Sequence, residues 1–184
     1  MARSLQELAG SFVRLAFSFR AKLLEARIRG AFMLVQNLNK KECCELLERL
    51  GFGRLGCARK NQLYVVPIYF AYEPHRLFGF STVGQMIEWM RTNPLVCVEA
   101  DEVVAHDNWT SVLVLGRYEE LSNGPEYAAL RLRAHALMEK RALWWQPAIA
   151  SSQTRDEQFG PFPVLYCIHM DKITGHRASP PHEL

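Results

Sequence analysis

Two tight turns divide the apolar stretch between residues 53 and 80 into three short segments that alternate like β-strands. Gly53 to Arg59 leads into the turn Lys60-Asn61, Leu63 to Tyr72 follows, and the turn Glu73-Pro74-His75 precedes Arg76 to Phe80. Strands joined by such short turns pair antiparallel, because a parallel connection needs a dozen residues or more. The sequence therefore predicts two successive hairpins that form an antiparallel meander.

Helices and further strands surround this meander. An Asn-x-x-Glu capping box at Asn39 predicts a helix from about 40 to 50, which Gly51 ends. Strands are also predicted at 95–100, 109–118 and 164–173, helices at 83–92 and 125–143, and a long loop at 146–162. Six antiparallel strands with three or four helices give a mainly-β (α+β) fold, and a closed barrel is favoured because it hides its edges.

The first 32 residues carry an amphipathic pattern of their own. Leucine and phenylalanine recur at three- and four-residue spacing, largely apart from the basic residues, which predicts a helix ending near Gly30. This helix would pack on the body or a partner subunit, lie on an anionic membrane surface, or be a translated extension ahead of Met33. Its composition also fits an organelle transit peptide, although two glutamates weaken that interpretation.

The composition favours one soluble domain with appendages. The chain has 184 residues, 49% of them hydrophobic, and no apolar run reaches the roughly 18 residues of a membrane-spanning helix. The formal net charge of +3 comes from residues 1–32, with six Lys/Arg against two Asp/Glu, while the remainder holds 16 against 17. A near-neutral body without a basic stripe argues against nucleic acid as a partner.

Five cysteines, at positions 43, 44, 57, 97 and 167, form no Cys-x-x-Cys pair. An odd number without a recognisable secretory signal indicates reduced thiols and a cytoplasmic location. Cys57, Cys97 and Cys167 lie in apolar, strand-like segments, where a free cysteine is most often a small buried hydrophobe.

The stretch from Phe78 to Pro94 predicts a strand that passes through a Ser/Thr/Gly turn into a helix. Unpaired N–H groups and the positive end of the helix dipole converge at such a junction, and the hydroxyls of Ser81 and Thr82 add donors for an anion. Gln85 and Met86 stand where a lysine or arginine would clamp a phosphate. A compensating cation would have to come from the nearby arginines, each of which is more simply explained as a surface residue: Arg54, Arg59, Arg91 and Arg117.

The sequence contains no recognisable metal or nucleophile motif. Cys167 and His169 share a strand face, but neither they nor His176 have the spacing of a zinc motif. No Gly-x-Ser-x-Gly elbow is present. His106-Asp107 is expected to shape a turn, with a substrate-facing proton donor as the alternative. Trp144-Trp145 is expected to pack at a helix end, with a wall over a planar ligand as the alternative.

Several short motifs occur in a fixed order along the body of the chain. They are Gly53-Arg-Leu-Gly-Cys-Ala58, Tyr64-Val-Val-Pro-Ile-Tyr-Phe70, Phe80-Ser-Thr-x-Gly84, Asn93-Pro94, Val96-Cys-Val-Glu99, Trp109-Thr-Ser-Val112 and Gly116-Arg-Tyr-Glu-Glu-Leu121. In this order they resemble the pyridoxamine 5′-phosphate oxidase-like family of FMN-binding split barrels, in the branch of nitroimidazole-resistance-type proteins. The similarity covers residues 33–178, which leaves 1–32 as an amphipathic helical extension and 179–184 as a disordered tail.

The resemblance implies a six-stranded split barrel, a homodimer, and FMN bound at the subunit interface. Matched position by position, the implied cofactor-binding residues are Val66, Pro67, Ile68, Tyr69, Ser81, Thr82, Gln85, Met86, Trp109 and Ser111. The first four would line the isoalloxazine ring, Ser81 and Thr82 would bind the phosphate, and the last two would approach the ring from a later strand. Relatives usually carry the phosphate-binding Arg/Lys pair, or a lone lysine, at positions 85 and 86.

The leading hypothesis is an FMN-dependent oxidoreductase that passes electrons from a reduced nicotinamide or deazaflavin to a small acceptor. The flavin would supply the chemistry, and no catalytic acid or base is assigned. The alternatives are a non-catalytic carrier of flavin, haem or another planar ligand, and a barrel that has lost its cofactor. A further alternative is an interaction module built around the N-terminal helix.

Overall fold

The computed structural model describes residues 34–140 and 164–180. The helices are α1 (Lys40–Leu50), α2 (Gln85–Thr92) and α3 (Ala128–Glu139), and a 3₁₀ turn at Pro125–Tyr127 precedes α3. The strands are β1 (Leu34–Asn37), β2 (Phe52–Arg59), β3 (Gln62–Tyr69), β4 (Ala71–Glu73), β5 (Arg76–Ser81), β6 (Leu95–Ala105), β7 (Asn108–Glu120) and β8 (Val164–Ser179). The predicted mainly-β antiparallel class is confirmed, with eight strands in this part of the chain rather than six.

Several sequence predictions lie outside the described residues. They are the helix in residues 1–32, the end of the helix predicted to reach residue 143, Trp144-Trp145, the loop 146–162 and the tail from residue 181. Among the residues that are described, no helix combines the length and the apolar character needed to cross a bilayer.

The strands form one antiparallel sheet in the order β3-β2-β6-β7-β8-β5-β4, and β1 pairs with β8. β3 and β4 are separated along the chain only by Phe70, yet they lie at opposite ends of this order. The sheet must therefore curl until its two ends meet at Phe70, a buried residue whose N–H donates to the Gly51 carbonyl at 2.9 Å. The hydrogen-bonded order does not close on itself, and the barrel is split along this seam.

This topology corrects two of the predicted strands. The strand expected at 63–72 is broken at Phe70, and its two parts pair with opposite ends of the sheet instead of forming a meander. The strand expected at 164–173 continues to Ser179, so that Ser179, the first residue of the predicted tail, pairs with Leu34 in the sheet. Gly175 permits this close packing, because a Cβ there would lie only 2.8 Å from Cys43 Sγ.

Local signals at the first helix and the first hairpin act as predicted. Asn39 Oδ1 accepts a hydrogen bond from the Glu42 N–H at 3.0 Å, and the Glu42 carboxylate accepts one from the Asn39 N–H at 2.9 Å. Gly51 ends α1 with a φ of 65°, the left-handed conformation that glycine adopts without steric cost. Lys60 and Asn61 have φ values of 49° and 65°, as a two-residue hairpin turn requires.

The inner side of the curled sheet encloses the main core, together with α1 and α2. Its fully buried members include Leu47, Leu55, Ile87, Met90, Val98 and Val114. A second, smaller core lies on the outer side of β4, β5 and β8, where Phe78, Leu165 and Cys167 pack against Ala134 and Met138 of α3. We call this outer surface the covered face.

The outer side of β2, β3, β6 and β7, the open face, is not covered by any helix that the structure describes. Its exposed apolar side chains include Leu63 (84% exposed), Val65 (63%), Leu95 (63%), Leu113 and Leu115 (43%). Val65, Gly56, Cys97 and Leu115 are cross-strand partners in one row across the four strands. The open face therefore carries an exposed apolar row, with the charged side chains of Arg54, Glu99 and Asp101 beside it. Exposed apolar patches of this kind mark interaction sites.

Candidate functional site

A cavity of about 630 Å³ opens at the seam, between β3, the end of β5 and the start of α2. Eight of the ten cofactor-binding residues that the resemblance implies line it: Val66, Pro67, Ile68, Tyr69, Ser81, Thr82, Gln85 and Met86. Phe52, Tyr64, Phe80 and Gly84 complete the lining. The curl of the sheet brings β3 next to β5, which unites residues 66–69 with residues 81–86.

β3 supplies an apolar and aromatic wall. Alternation along the strand turns Val66 and Ile68 toward the core and leaves Pro67 and Tyr69 exposed. Proline is tolerated in this strand because β3 is at the edge of the sheet, where a missing N–H costs no ladder bond. The rings of Tyr69 and Phe52 lie 4.8 Å apart at an interplanar angle of 57°. This wall offers the flat apolar surface on which a planar ligand packs.

The start of α2 supplies a polar corner. Gly84 is the N-cap in an extended conformation, and no side chain caps the helix. The first N–H groups of α2 therefore lack partners and carry the positive end of the helix dipole. A Cβ added at Gly84 would meet no atom within 4 Å, so the approach to the helix is open. With the hydroxyls of Ser81 and Thr82 beside it, this corner is suited to an anion.

Among the described residues that line the cavity, none is a lysine or an arginine. Gln85 is exposed at the first position of α2, whereas Met86 is only 8% exposed and packs in the main core. The two positions at which the resemblance leads one to expect cationic residues thus differ, because Gln85 is exposed to solvent and Met86 is buried.

Three of the four nearby arginines are engaged with carboxylates elsewhere. Arg91 donates two hydrogen bonds to Glu120, at 2.7 and 2.8 Å, which raise the pKa of its guanidinium. Arg54 pairs with Glu99 and Asp101 on the open face, and Arg117 pairs with Asp171. Arg59 lies at the hairpin end of β2 and does not line the cavity. The anion corner therefore depends on hydroxyl and backbone donors within the described part of one protomer.

Trp109 and Ser111 are not brought to the cavity of the same protomer. Both lie on β7, where Trp109 pairs with Val103 and Ala178, and Ser111 pairs with Asp101 and His176. Their position in the alternation of β7 places them on the outer side, in line with the exposed Leu113 and Leu115. These two predicted site residues belong to the open face.

Sequence reasoning missed Phe52, Tyr64, Phe80 and Gly84 as lining residues. One signal was available for Phe52, since the hairpin turn at Lys60-Asn61 sets the register and places Phe52 opposite Tyr69. Phe80 and Gly84 flank the predicted phosphate residues along the chain. Tyr64 is found only from packing, because its ring lies 5.7 Å from that of Trp89 on α2.

A cluster of titratable groups lies beside the covered face and outside the cavity. His169 Nε2 lies 2.5 Å from the Glu119 carboxylate, and the Tyr127 hydroxyl donates to the other Glu119 oxygen at 3.1 Å. The contact with His169, followed by that with Tyr127, lowers the pKa of Glu119. Among the described residues, no group of three or more His, Cys, Asp or Glu side chains is arranged to hold a metal ion. The cluster instead ties the 3₁₀ turn before α3 to the sheet.

Comparison with known proteins agrees with this architecture. The profile of the pyridoxamine 5′-phosphate oxidase family matches residues 39–177. An uncharacterized protein of Rhizobium meliloti is 35% identical over 146 residues, which cover 79% of this chain and 97% of that protein.

Two solved structures extend the comparison. A FAD-binding protein from Mesorhizobium loti is 37% identical, with a TM-score of 0.66 over 80% of this chain and 99% of its own. A Bacteroides thetaiotaomicron protein, provisionally named for 5-nitroimidazole antibiotic resistance, shares the fold at 17% identity and a TM-score of 0.55, over 80% and 91% of the two chains. On the profile match and these relatives, the chain belongs to the pyridoxamine 5′-phosphate oxidase-like family.

Proposed function

We propose that this chain binds FMN in the seam cavity and acts as an FMN-dependent oxidoreductase on a small molecule. The observation that carries the proposal is the meeting of an aromatic, apolar wall with an uncapped helix start in one cavity. An isoalloxazine ring fits the first feature and a phosphate fits the second. The Mesorhizobium loti relative, named as a FAD-binding protein, supports a flavin. FMN and FAD share the ring and the first phosphate.

Each part of the cavity has a distinct role in this proposal. Val66, Pro67, Ile68 and Tyr69 hold and orient the ring, and Ser81 and Thr82 donate hydrogen bonds to the phosphate. Gln85 adds an amide donor at the helix start. A bound flavin supplies hydride transfer, and the protein supplies binding, orientation and exclusion of water from one side of the ring. The substrate and the electron donor enter from the open side of the cavity.

The site is completed by a second copy of the chain. The open face presents Leu63, Val65 and Leu115 to solvent, and burial of such side chains is worth about 1.5 to 3 kcal/mol each. Trp109 and Ser111 lie on this same face. In a homodimer formed through the open face, Trp109 and Ser111 would approach the flavin held by the other protomer. This arrangement accounts for their absence from the cavity of their own protomer.

The flavin-binding domain is proposed as residues 33–178, with residues 1–32 as a helical extension and 179–184 as a tail. Ser179 pairs with Leu34 in the sheet and belongs with the domain. All five cysteines, which lie in the described residues, are free. Free thiols favour a reducing compartment, and we place the protein in the cytoplasm.

One observation favours a second candidate function. The described lining of the cavity offers no lysine or arginine for a charge-assisted phosphate contact, and such a bond is worth about 1.5 to 3 kcal/mol. A non-catalytic carrier of flavin, haem or another planar ligand, or a barrel that has lost its cofactor, would have this lining. The visible spectrum of the purified protein separates the candidates. Flavin bands support the first function, a Soret band supports haem, and a colourless protein that ignores added FMN and FAD overturns the flavin assignment.

The phosphate contact is tested by the double variant Ser81→Ala/Thr82→Ala. Loss of two hydroxyl donors is expected to weaken FMN about tenfold to a hundredfold, measured by quenching of flavin fluorescence. Thr92→Ala is the matched control, because Thr92 lies at the other end of α2 and bonds only carbonyls of its own helix. Equal affinities for the double variant and the wild type would place the phosphate elsewhere.

Gln85→Lys is expected to restore a cation to the polar corner and to tighten FMN about tenfold. Thr92→Lys adds the same charge about 10 Å away along the helix and is expected to leave the affinity unchanged. Chromatography of the released flavin distinguishes FMN from FAD. Flavin reduction by NADPH in a stopped-flow instrument then tests for turnover, since a flavin that no donor reduces favours the carrier.

A further inference from the structure

A second cavity, of about 460 Å³, lies between the start of α1, the β4–β5 turn and β8. It shares no lining residue with the seam cavity. Its polar and titratable lining residues are Lys40, Cys44, Tyr72, His75, Asp171 and Lys172. Its volume lies within the range of about 300 to 1,000 Å³ that small-molecule sites occupy.

The charge of this cavity is positive. Lys40 comes from α1 and Lys172 from β8, and neither forms an ion pair with another described residue. Asp171 is the one carboxylate among the described lining residues, and its two oxygens accept hydrogen bonds from Arg117 at 2.8 and 3.0 Å. This contact lowers the pKa of Asp171 and keeps its charge engaged with Arg117. The two lysines are therefore free to meet an external anion.

The inner part of the cavity is apolar and well anchored. The partly buried side chains of Tyr72, Met170 and Ile173 pack against the main core. The Met170 N–H donates to the His75 carbonyl at 3.0 Å, which holds the β4–β5 turn against β8. Burial, followed by contact with Cys44, raises the pKa of Tyr72, so its hydroxyl remains a neutral donor. Glu48 also acts on Tyr72 but is not among the lining residues.

We propose that this second cavity binds a small organic anion, a carboxylate or a phosphate monoester with a short apolar or aromatic body. Lys40 and Lys172 bind the charged group from two sides, and the body lies against Tyr72, Met170 and Ile173. This proposal is independent of the flavin site, because it uses none of the same residues.

Cys44 provides a direct readout, because its half-buried thiol lines the cavity. The full-length protein is alkylated with N-ethylmaleimide in the presence of phenyl phosphate, benzoate or inorganic phosphate, and modification of Cys44 is followed by fragment mass spectrometry. Sodium chloride at the same ionic strength is the reference. We expect phenyl phosphate or benzoate to slow modification of Cys44 in a saturable manner, and the better protector identifies the charged group.

The double variant Lys40→Gln/Lys172→Gln is expected to raise the half-protective concentration about a hundredfold, or about tenfold for each lysine. Lys41→Gln is the matched control, because Lys41 is exposed on the same helix and does not line the cavity. In this variant the anions should protect Cys44 at the same concentrations as in the wild type. The proposal is overturned if neither organic anion protects Cys44, or if protection in the double variant equals that in the wild type. Circular dichroism confirms that each variant is folded.

Discussion

The covered and open faces belong to the same sheet and follow the same strand alternation, yet among residues 34–140 and 164–180 only the covered face is packed by a helix. On the covered face, Leu165 and Cys167 are buried under Ala134 and Met138 of α3. On the open face, Val65 and Leu115 keep 63% and 43% of their surface exposed. The homodimer proposed above would cover the open face with a second copy of the chain. Trp109 and Ser111 lie on that face, so the same dimer would bring them to the flavin site of the other protomer.

The difference between the two faces is tested most directly by introducing charged side chains on the open face. Val65→Asp/Leu115→Asp places two carboxylates in the central row and should convert a dimer to a monomer, with an association constant at least a hundredfold lower. Size-exclusion chromatography with light scattering measures this, and flavin content should fall in parallel. Leu132→Asp is the control, because Leu132 is 73% exposed on α3. A wild type that is monomeric, or a double variant that stays dimeric, would contradict the assignment.

A substitution that creates a cavity under the covered face should lower the free energy of unfolding and leave the oligomeric state unchanged. Leu165→Ala removes a buried side chain from under α3, and we expect a loss of about 3 kcal/mol in the free energy of unfolding. Urea unfolding at a fixed protein concentration gives this value. Leu132→Ala, on the exposed side of α3, should stay within about 0.5 kcal/mol of the wild type. A change in oligomeric state on Leu165→Ala would mean that the two faces are not independent.

The Glu119 cluster predicts acid sensitivity at the edge of the covered face. His169, and then Tyr127, lower the folded-state pKa of Glu119 below its ordinary value of 4.5. The resulting stabilisation is complete above that ordinary value and is lost as the pH falls through the folded pKa. Melting temperatures between neutral and acid pH should therefore fall less steeply for Glu119→Gln than for the wild type. Parallel curves would show that the cluster does not stabilise the fold.

Glu99, on the open face, should affect the pH dependence of stability in the opposite direction to Glu119. Of the four predictions in this comparison, we expect this effect to be the smallest. Burial first, and then Asp101, raise its pKa, while Arg54 offsets part of the shift. The charged form of Glu99 is thus disfavoured in the folded state and destabilises the fold at neutral pH. This destabilisation is relieved as the pH falls through the folded-state pKa of Glu99. Glu99→Gln should raise the melting temperature slightly at neutral pH and converge with the wild type in acid.

Local structure followed from the sequence where one or two residues decide the backbone. The capping box at Asn39, the left-handed Gly51 and the turn at Lys60-Asn61 lie where they were predicted. These signals act over three or four residues and need no knowledge of the rest of the fold. The family resemblance assigned residues 66–69, 81, 82, 85 and 86 to one site, and all of these residues line the seam cavity.

The long-range features were not predictable in the same way. Phe70 continues the apolar pattern of its neighbours, and only the pairing of β3 with β2 and of β4 with β5 shows that the strand breaks there. The exposed strand β1 was missed because its one partner, β8, lies far along the chain. The predicted strand at 164–173 stopped short of Gly175, and the close packing of β8 against α1 explains the glycine at this position. Trp109 and Ser111 cannot be placed at a cavity from one protomer alone.

The position of β8 in the sheet also determines when the chain can complete its fold during synthesis. β8 pairs with β1, β5 and β7, and it alone links the β4–β5 hairpin to the other strands. A nascent chain that has not yet released residues 164–179 from the ribosome therefore has a detached hairpin and unpaired strand edges. Such edges can recruit other chains, so aggregation is the hazard of the interval before β8 emerges. The barrel is completed only when β8 has left the ribosome.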